Sequence, residues 1–474
     1  MYIRKIHITN IRGLEEVDLD LDRGDGQLAG WTVIAGRNGS GKSTLLKALA
    51  LAVAGTRRAF SLQPSFAGWI RRGKDQGGIR LVLQKHASDG FNNDREDFDV
   101  DLGWMDGGDL ASSNVGEAPH DDSFPEPIMS HSLSPIATGQ DSHGEVWSEN
   151  PRGWFVVGYG AHRRLSSRGG GRGPQPRAVS RLEGLFDEDA TFAEATRWLK
   201  DIHALSLDYG SQAERAERQH QPRDAEARRE ISVRLNKVLE DLLCLLNGGS
   251  PSERLLPAGH EVTEINQDGV WVKSCGVRLP LQALGDGYKT VIGLIVDITR
   301  HLYECYGHFL LEKEGGSVRV ALPGVILIDE VEAHLHVEWQ QRVGFWLKQH
   351  FPNVQFLVTT HSPFICQAAD KKGIIRLPAP GSGMAAEHVS DEDFLTIVNG
   401  GVDEATMSAL FGLEHAHSEA SEKLRTQVAE LEVRVIRGIA SAEEKASLER
   451  LSAELPSTGS ALVEQAVRKL EALG

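Results

Sequence analysis

Near the start of the chain, apolar and polar positions interleave as they do in half-buried strands: Ile3, Ile6, Ile8 and Ile11 carry a first strand, and Val17, Leu19 and Leu21 alternate with Asp18, Asp20 and Asp22 in a second. An unbroken apolar run, Trp31-Thr32-Val33-Ile34-Ala35, predicts a buried strand. Residues 1–35 are therefore expected to form one sheet edge. Ile79 to Leu83 reads as a further strand, followed by a polar stretch rich in Asp, Gly, Ser and Pro, so that 88–146 is expected to be a long surface insertion. Trp154 to Gly160 is again buried-strand sequence. Between 190 and 247 the period changes to that of helices, through Phe192, Trp198, Leu199 and Ile202 and later Ile231, Leu235, Val238, Leu239, Leu242 and Leu243. A helix carrying Val291, Ile292, Leu294, Ile295, Ile298 and Leu302 follows, and then two continuous apolar strands, Val325–Ile328 and Val354–Thr360. The segments 418–438, 441–455 and 460–472 predict amphipathic helices, with Ser441 and Glu444 at capping-box spacing.

What lies between these elements supplies the chemistry. The buried run ending at Ala35 leads into Gly36-Arg37-Asn38-Gly39-Ser40-Gly41-Lys42-Ser43-Thr44 and then into a helical Leu45-Leu46-Lys47-Ala48 segment. Strand, glycine loop and helix in that order make a triphosphate site: glycines let backbone N–H groups approach phosphates, and the helix dipole points at the same anion. Lys42 is expected to reach the β and γ phosphates. Ser43 is placed to bind Mg²⁺, and the backbone of Arg37, Asn38, Gly39, Ser40, Gly41 and Thr44 completes the cradle. The strand at Val325–Ile328 ends in Asp329 and Glu330, two acids that are costly to bury unless something positive meets them. Asp329 is expected to hold Mg²⁺, and Glu330 to face the water that attacks the γ-phosphate. The strand at Val354–Thr360 ends at His361, at the sheet edge where parallel sheets bind ligands. Leu284-Gly285-Asp286-Gly287-Tyr288 opens a helix, with small residues that free N–H groups to face an anion.

Bulk properties narrow the alternatives. A chain of 474 residues with net charge −16 and pI near 5.6 lacks a general electrostatic grip on nucleic acid or on an anionic membrane. The one basic stretch, with Arg163, Arg164, Arg168, Arg172 and Arg177, reads either as a flexible connector or as a contact for nucleic-acid phosphates. Four separated cysteines without metal-ligand spacing fit a reduced, cytoplasmic compartment. Neither a signal-peptide core nor a membrane-spanning run is legible, so no membrane partner is expected.

Taken together, the phosphate loop, the Leu284–Tyr288 segment, the Asp329-Glu330 strand, His334-Leu335-His336 and His361 resemble the ABC-type ATPases of the RecF, SMC and OLD kind, as does the opening Asn10-Ile11-Arg12-Gly13. The resemblance implies an α/β, P-loop nucleotide-binding domain split by an inserted helical lobe. Its first lobe would be 1–185, with the insertion at 88–146; a helical arm would span 186–280, a second lobe 281–400, and a C-terminal helical partner or oligomerisation region 401–474. It implies ATP and Mg²⁺ as cofactors, Arg12 on the nucleotide edge, and catalytic roles for Lys42, Glu330 and His361. It also implies a homodimer or higher homo-oligomer, in which Leu284, Gly285, Asp286 and Gly287 of one subunit face the γ-phosphate held by the other. The family usually carries Ser where this chain has Gly285; losing such a bond to a charged group costs about 1.5–3 kcal/mol. Gln63 and the Tyr159–Arg163 segment are both candidates for the family's Mg²⁺-sensing loop.

Trp69-Ile70-Arg71, Gly158 to Arg164, Gly285 to Tyr288 and Glu332 to His336 are similar to the ATPases of anti-phage defence operons, especially the Septu PtuA-like family, whose partner is an HNH nuclease. The helical sequence after His361 carries no Asp-x-Asp pattern on a strand, so no nuclease is expected in this chain. The first expectation is an ATPase that senses infection or nucleotide state and controls a separately encoded effector nuclease. A RecF-like ATP-dependent DNA-binding protein and a slowly hydrolysing ATP-locked scaffold are the alternatives.

Overall fold

A computed structural model of the chain describes residues 1–24, 26–89, 97–105, 127–134, 154–163, 177–248, 250, 253–309, 311–408, 410–411 and 418–455. The polypeptide divides into two compact units, Met1–Ala405 and Thr406–Gly474. The boundary lies a few residues beyond the expected one, after the short helix Val402–Met407 has begun.

A six-stranded sheet forms the centre of the first unit. Five strands are parallel, in the spatial order Ile374–Arg376, Gly30–Ala35, Val354–Thr360, Gly324–Ile328, Val156–Tyr159, with Glu387–His388 antiparallel at one edge. Every residue of the four strands other than Ile374–Arg376 and Glu387–His388 is buried, as strands covered on both faces must be. The register sets Ala35 beside Thr360 and Ile328 beside both Val358 and Tyr159. The chain therefore leaves three neighbouring strands at one edge, at Gly36, at Asp329 and at His361.

The expectation of a single sheet edge over residues 1–35 is corrected. Tyr2–Ile11 and Leu14–Asp20 belong to a second, antiparallel sheet of five strands, while Gly30–Ala35 lies in the parallel one. The burial pattern explains the separation: the first two strands bury one face only, whereas Gly30–Ala35 is buried throughout. The stretch 88–146 is not all loop either. Asp97–Met105 and Ile128–Ser134 complete the antiparallel sheet in the order Leu14–Asp20, Tyr2–Ile11, Gln76–Gln84, Asp97–Met105, Ile128–Ser134. Phe98, Val100, Leu102 and Trp104 point into the core while Asp97, Asp99 and Asp101 face outward, so the carboxylates belong to the solvated side of a strand.

Helix Lys42–Ala54 packs in the same core as the antiparallel strands and Leu327 and Leu357 of the parallel sheet. Its apolar residues therefore run almost all the way round, and from Leu45 onward only Lys47 escapes burial. Gln355, fully buried, joins the two sheets: its side-chain amide donates to the Ile3 carbonyl at 2.7 Å and accepts the Ile3 N–H at 2.8 Å.

The expected arm is only partly helical. Ala193–Arg218 and Pro222–Asn247 form an antiparallel helix pair, closed by a turn with His220 at φ 57° and locked by a Ser232 hydroxyl that donates to Ser206 O at 2.7 Å. Residues beyond it form a three-stranded sheet, His260–Asn266, Gly269–Ser274 and Val277–Pro280, whose Val262, Ile265, Val270 and Val272 are buried. Helix Asp286–Tyr306 then leads through a two-stranded hairpin, Leu311–Glu314 and Ser317–Val320, to the parallel strand Gly324–Ile328.

In the second unit, Glu419–Ile436 and Ala442–Glu454 are helices. Ser441 and Glu444 form the expected capping box. The segment 460–472 lies outside the described residues. Among the described residues no helix is long and apolar enough to cross a membrane.

Candidate active site

At the first of the three strand ends, the loop from Gly36 to Gly41 wraps over the start of helix Lys42–Ala54. Gly39 and Gly41 adopt φ of 79° and 93°, the left-handed region that favours glycine. A Cβ on Gly36 would meet Leu377 O and Ser40 Oγ at 2.7 Å, and one on Gly41 would meet Leu14 Cδ2 at 2.6 Å; at Gly39 it would meet nothing within 4 Å, so the loop presents bare backbone there. The Lys42 ammonium donates to Gly36 O at 2.9 Å and Arg37 O at 3.1 Å, which ties it across the loop mouth. Burial pulls its pKa below the ordinary lysine value, and the charges of Asp329, Glu330 and Glu332 oppose that pull. The three acids are thus within electrostatic reach of the phosphate-loop lysine. Ser43 and Thr44 are half-buried on the first turn behind it.

The second strand end is built around Thr359, fully buried on the neighbouring strand. Its hydroxyl donates to Asp329 Oδ1 and accepts the Glu330 N–H at 2.8 Å. Glu330 has φ 45°, which costs an L-residue roughly 1–2 kcal/mol. Arg163 meets the same turn from the other side. Its guanidinium donates to Gly160 O and Asp329 O at 2.8 Å, to Val331 O at 2.9 Å and to Glu330 O at 3.0 Å. Arg163 is 5% exposed; burial lowers its pKa to about 10, against the opposing charges of Glu332, Asp329 and Glu330.

The third strand end is held by Glu332, whose carboxylate accepts from the Thr360 hydroxyl at 2.7 Å and from the His361 N–H. The His361 residue itself is exposed. Ser362 continues the chain with a hydroxyl donated to Gln340 Oε1 at 2.7 Å. Strand order and these bonds bring Lys42, Asp329, Glu330 and His361 to one edge.

Arg12 approaches the same edge. Asn10 and Arg12 have φ of 52° and 48°, the Arg12 guanidinium stacks 4.7 Å from the Trp69 ring centroid, and a Cβ on Gly13 would lie 3.9 Å from Gly39 O. The turn therefore rests against the phosphate loop.

The Leu284–Gly287 segment is placed differently. Gly285 caps helix Asp286–Tyr306 with an ordinary φ of −63°, and a Cβ there would meet nothing within 4 Å. Asp286 is exposed and accepts from Lys289 Nζ at 3.1 Å, while a Cβ on Gly287 would strike the Trp339 ring at 2.3 Å. Tyr288 packs edge-on to Trp339 and accepts or donates to His260 Nε2 at 3.0 Å. Gly285 thus faces outward from a start of helix that is firmly seated on its inner side.

Further along the same helix, burial would raise the Asp297 carboxyl, but Arg300 and His301 beside it hold it well below the usual carboxylate range. These three line a cavity of about 150 Å³ together with Tyr159 and Arg163.

Of the two candidates for a Mg²⁺-sensing loop, Gln63 ends the helix Thr56–Leu62 and donates to Ser65 O at 3.0 Å, a local turn contact. The Tyr159–Arg163 segment is the one at the strand edges. The basic stretch is also corrected at its start: Arg163 is buried and is not offered to a polyanion, and beyond the stretch Arg181 is buried too, over the Phe155 ring. Arg164, Arg168 and Arg172 lie outside the described residues. Thr359, Glu332 and the clamping role of Arg163 were not legible as site features beforehand. Their signal was polarity at the end of apolar runs, as in Thr359-Thr360.

The donor set fits a magnesium nucleotide. Ser43 and Asp329 offer the hard oxygen donors that Mg²⁺ takes; they would hold it together with oxygens from phosphate and water. The buried Ser40 Oγ, without a hydrogen-bond partner among the described residues, adds a polar group to the loop.

Comparison with known proteins finds similarity on both sides of the helical insertion. Residues 5–100 match the AAA domain family, and residues 276–367 match a second AAA domain family described with the AbiEii toxin of a type IV toxin–antitoxin system. Over 370 residues, 76% of this chain, the sequence is 24% identical to the Septu protein PtuA of Bacillus mycoides (strain KBAB4), of which it covers 38%. Over 98 residues, 21% of this chain, it is 39% identical to the "Retron Ec83 probable ATPase" of Escherichia coli, of which it covers 17%. The chain thus spans well under half the length of either relative. An Smc head domain with an extended coiled coil, bound to the C-terminal domain of ScpA and derived from Pyrococcus furiosus, aligns with a TM-score of 0.46 at 16% identity, covering 84% of this chain and 98% of that one.

Proposed function

We propose that this chain, an ABC-type ATPase of the RecF, SMC and OLD class related to the Septu and retron ATPases of anti-phage defence, binds ATP with Mg²⁺ and hydrolyses it. The observation that carries the reading is Thr359, which ties Asp329 and Glu330 together on the strand next to the phosphate loop. In this reading the loop backbone from Arg37 to Thr44 and the Lys42 ammonium bind the phosphates. Ser43 and Asp329 hold Mg²⁺, which when bound offsets phosphate charge. Glu330 orients the attacking water and takes its proton, a role typically worth about 10²–10⁴ in rate. His361 donates to the γ-phosphate, and Arg12 lies beside the nucleotide.

The outward Gly285 supports completion of the site by a second copy, whose Leu284–Gly287 would supply backbone N–H groups and the helix dipole to the γ-phosphate. Hydrolysis then needs at least a homodimer. The effector would be encoded separately, an HNH-type nuclease, with the C-terminal unit as its docking region; Val433, Ile436 and Ile439 are exposed there, Ile436 at 83%. The test is ATP turnover of the wild type against Glu330→Gln and Lys42→Ala, over a range of protein concentration. Turnover that survives Glu330→Gln unchanged would remove the assignment. Co-purification with the neighbouring gene product, before and after deletion of 418–474, tests the docking region; an unchanged complex would exclude it.

A further inference from the structure

We infer that Arg163 is a positioning residue for hydrolysis, which fixes the backbone that carries Glu330 by gathering the carbonyls of Gly160, Asp329, Glu330 and Val331 around one guanidinium. The inference rests on the ATPase reading of Asp329 and Glu330. Its basis is the geometry of the turn. Successive carbonyls of an extended chain point to opposite sides, yet those of Asp329, Glu330 and Val331 converge here, because Glu330 takes φ 45°. Three oxygens of like partial charge crowded together, with a left-handed residue among them, would relax unless a cation with several donors held them.

Arg163 meets that requirement in a way few side chains can. A guanidinium carries five N–H donors in a planar fork and stays charged when buried, whereas lysine concentrates its charge on one nitrogen with three donors. The nitrogens Nη1 and Nη2 each serve two carbonyls, and Gly160 O ties the turn to the strand Val156–Tyr159. On the opposite face, the Thr359 hydroxyl accepts the Glu330 N–H. Glu330 is therefore held through its N–H and its C=O, by two residues from two different strands' ends, while its carboxylate is left to the reaction. The four acceptors are all backbone, so no hydrogen bond to the guanidinium occupies an oxygen of the Asp329 or Glu330 carboxylate.

The cavity of about 150 Å³ that Arg163 lines offers room in which a small cation can replace a deleted guanidinium. The experiment uses the full chain carrying Arg163→Lys or Arg163→Ala, with ATP affinity from fluorescent-nucleotide titration, kcat from phosphate release, and Tm from circular dichroism. Expected in both variants is a kcat at least about tenfold lower, with ATP affinity held to within about twofold. Added guanidinium chloride at sub-denaturing concentration restores part of the Arg163→Ala rate, and Arg163→Lys combined with Glu330→Gln is no slower than Glu330→Gln alone. Unchanged kcat in both variants, with Glu330→Gln inactive, overturns the inference and leaves the ATPase reading standing. A parallel fall of kcat, ATP affinity and Tm that guanidinium does not relieve also overturns it, since Arg163 would then serve the fold only. Equal turnover by the wild type and Glu330→Gln overturns the ATPase reading and this inference with it.

Discussion

The Thr359 hydroxyl donates to Asp329 Oδ1 and, with the same oxygen, accepts the N–H of the next residue, Glu330, at 2.8 Å. One side chain thus sets both the carboxylate proposed for the metal and the backbone of the carboxylate proposed for the water. Thr359→Val keeps the buried shape and deletes the hydroxyl. Loss of a bond to a charged group costs about 1.5–3 kcal/mol, which in a barrier is roughly 10- to 100-fold in rate. The expected result is a kcat lower by that factor, measured by phosphate release, with Thr359→Ser near the wild type.

Gly285 is open at the position where the ATPases the chain resembles usually carry a serine. Its φ is one that any residue adopts, and a Cβ meets nothing within 4 Å. Gly285→Ser should fold with unchanged Tm. If a second copy closes the site, the new hydroxyl should raise ATP turnover at low protein concentration by about tenfold, the effect of one added bond to a charged phosphate. An unaltered concentration dependence would argue against closure by a second copy at this point.

The two left-handed glycines of the phosphate loop make a paired comparison. At Gly39 a methyl group adds only the backbone cost, roughly 1–2 kcal/mol, whereas at Gly41 it also drives into Leu14. Gly41→Ala is expected to lower Tm more than Gly39→Ala and to abolish nucleotide binding, as read by thermal melts and fluorescent-nucleotide titration.

How much of this was readable in advance depends on what each residue had to satisfy locally. The phosphate loop and the strands ending at Asp329 and His361 were legible, because a strand buried on both faces writes a continuous apolar run and its end is where the chemistry sits. In the strand Asp97–Met105, Phe98, Val100, Leu102 and Trp104 alternate strictly, yet the acids between them look like loop composition when counted instead of phased. Arg163 was legible as a member of a basic stretch and as the end of the Tyr159–Arg163 candidate loop, but not as a clamp. Its partners at 329–331 lie more than 160 positions away, and no local pattern announces that a guanidinium will turn inward to backbone carbonyls.

His350 provides a pH test. It is fully buried against the Trp346 ring, 4.2 Å between centroids, and burial lowers its pKa from 6.5 to about 4. The unfolded chain then binds a proton near pH 6.5 that the folded chain refuses until about pH 4. Stability contributed by the neutral ring is complete above pH 6.5 and is lost as the pH falls toward 4, by up to about 3 kcal/mol. Urea unfolding at pH 7 and pH 5 should reveal the loss, and His350→Leu should flatten the part of the profile that this residue produces.

The amide of Gln355 that grips both the N–H and the C=O of Ile3 has a mechanical corollary. It pins one end of the strand Tyr2–Ile11 to the strand that terminates beside His361, while the far end of Tyr2–Ile11 passes into the Arg12–Gly13 turn against Gly39. Sliding of the first strand along the parallel sheet would break both amide bonds at once, so Ile3 is an anchor for the strand whose other end carries the Arg12–Gly13 turn.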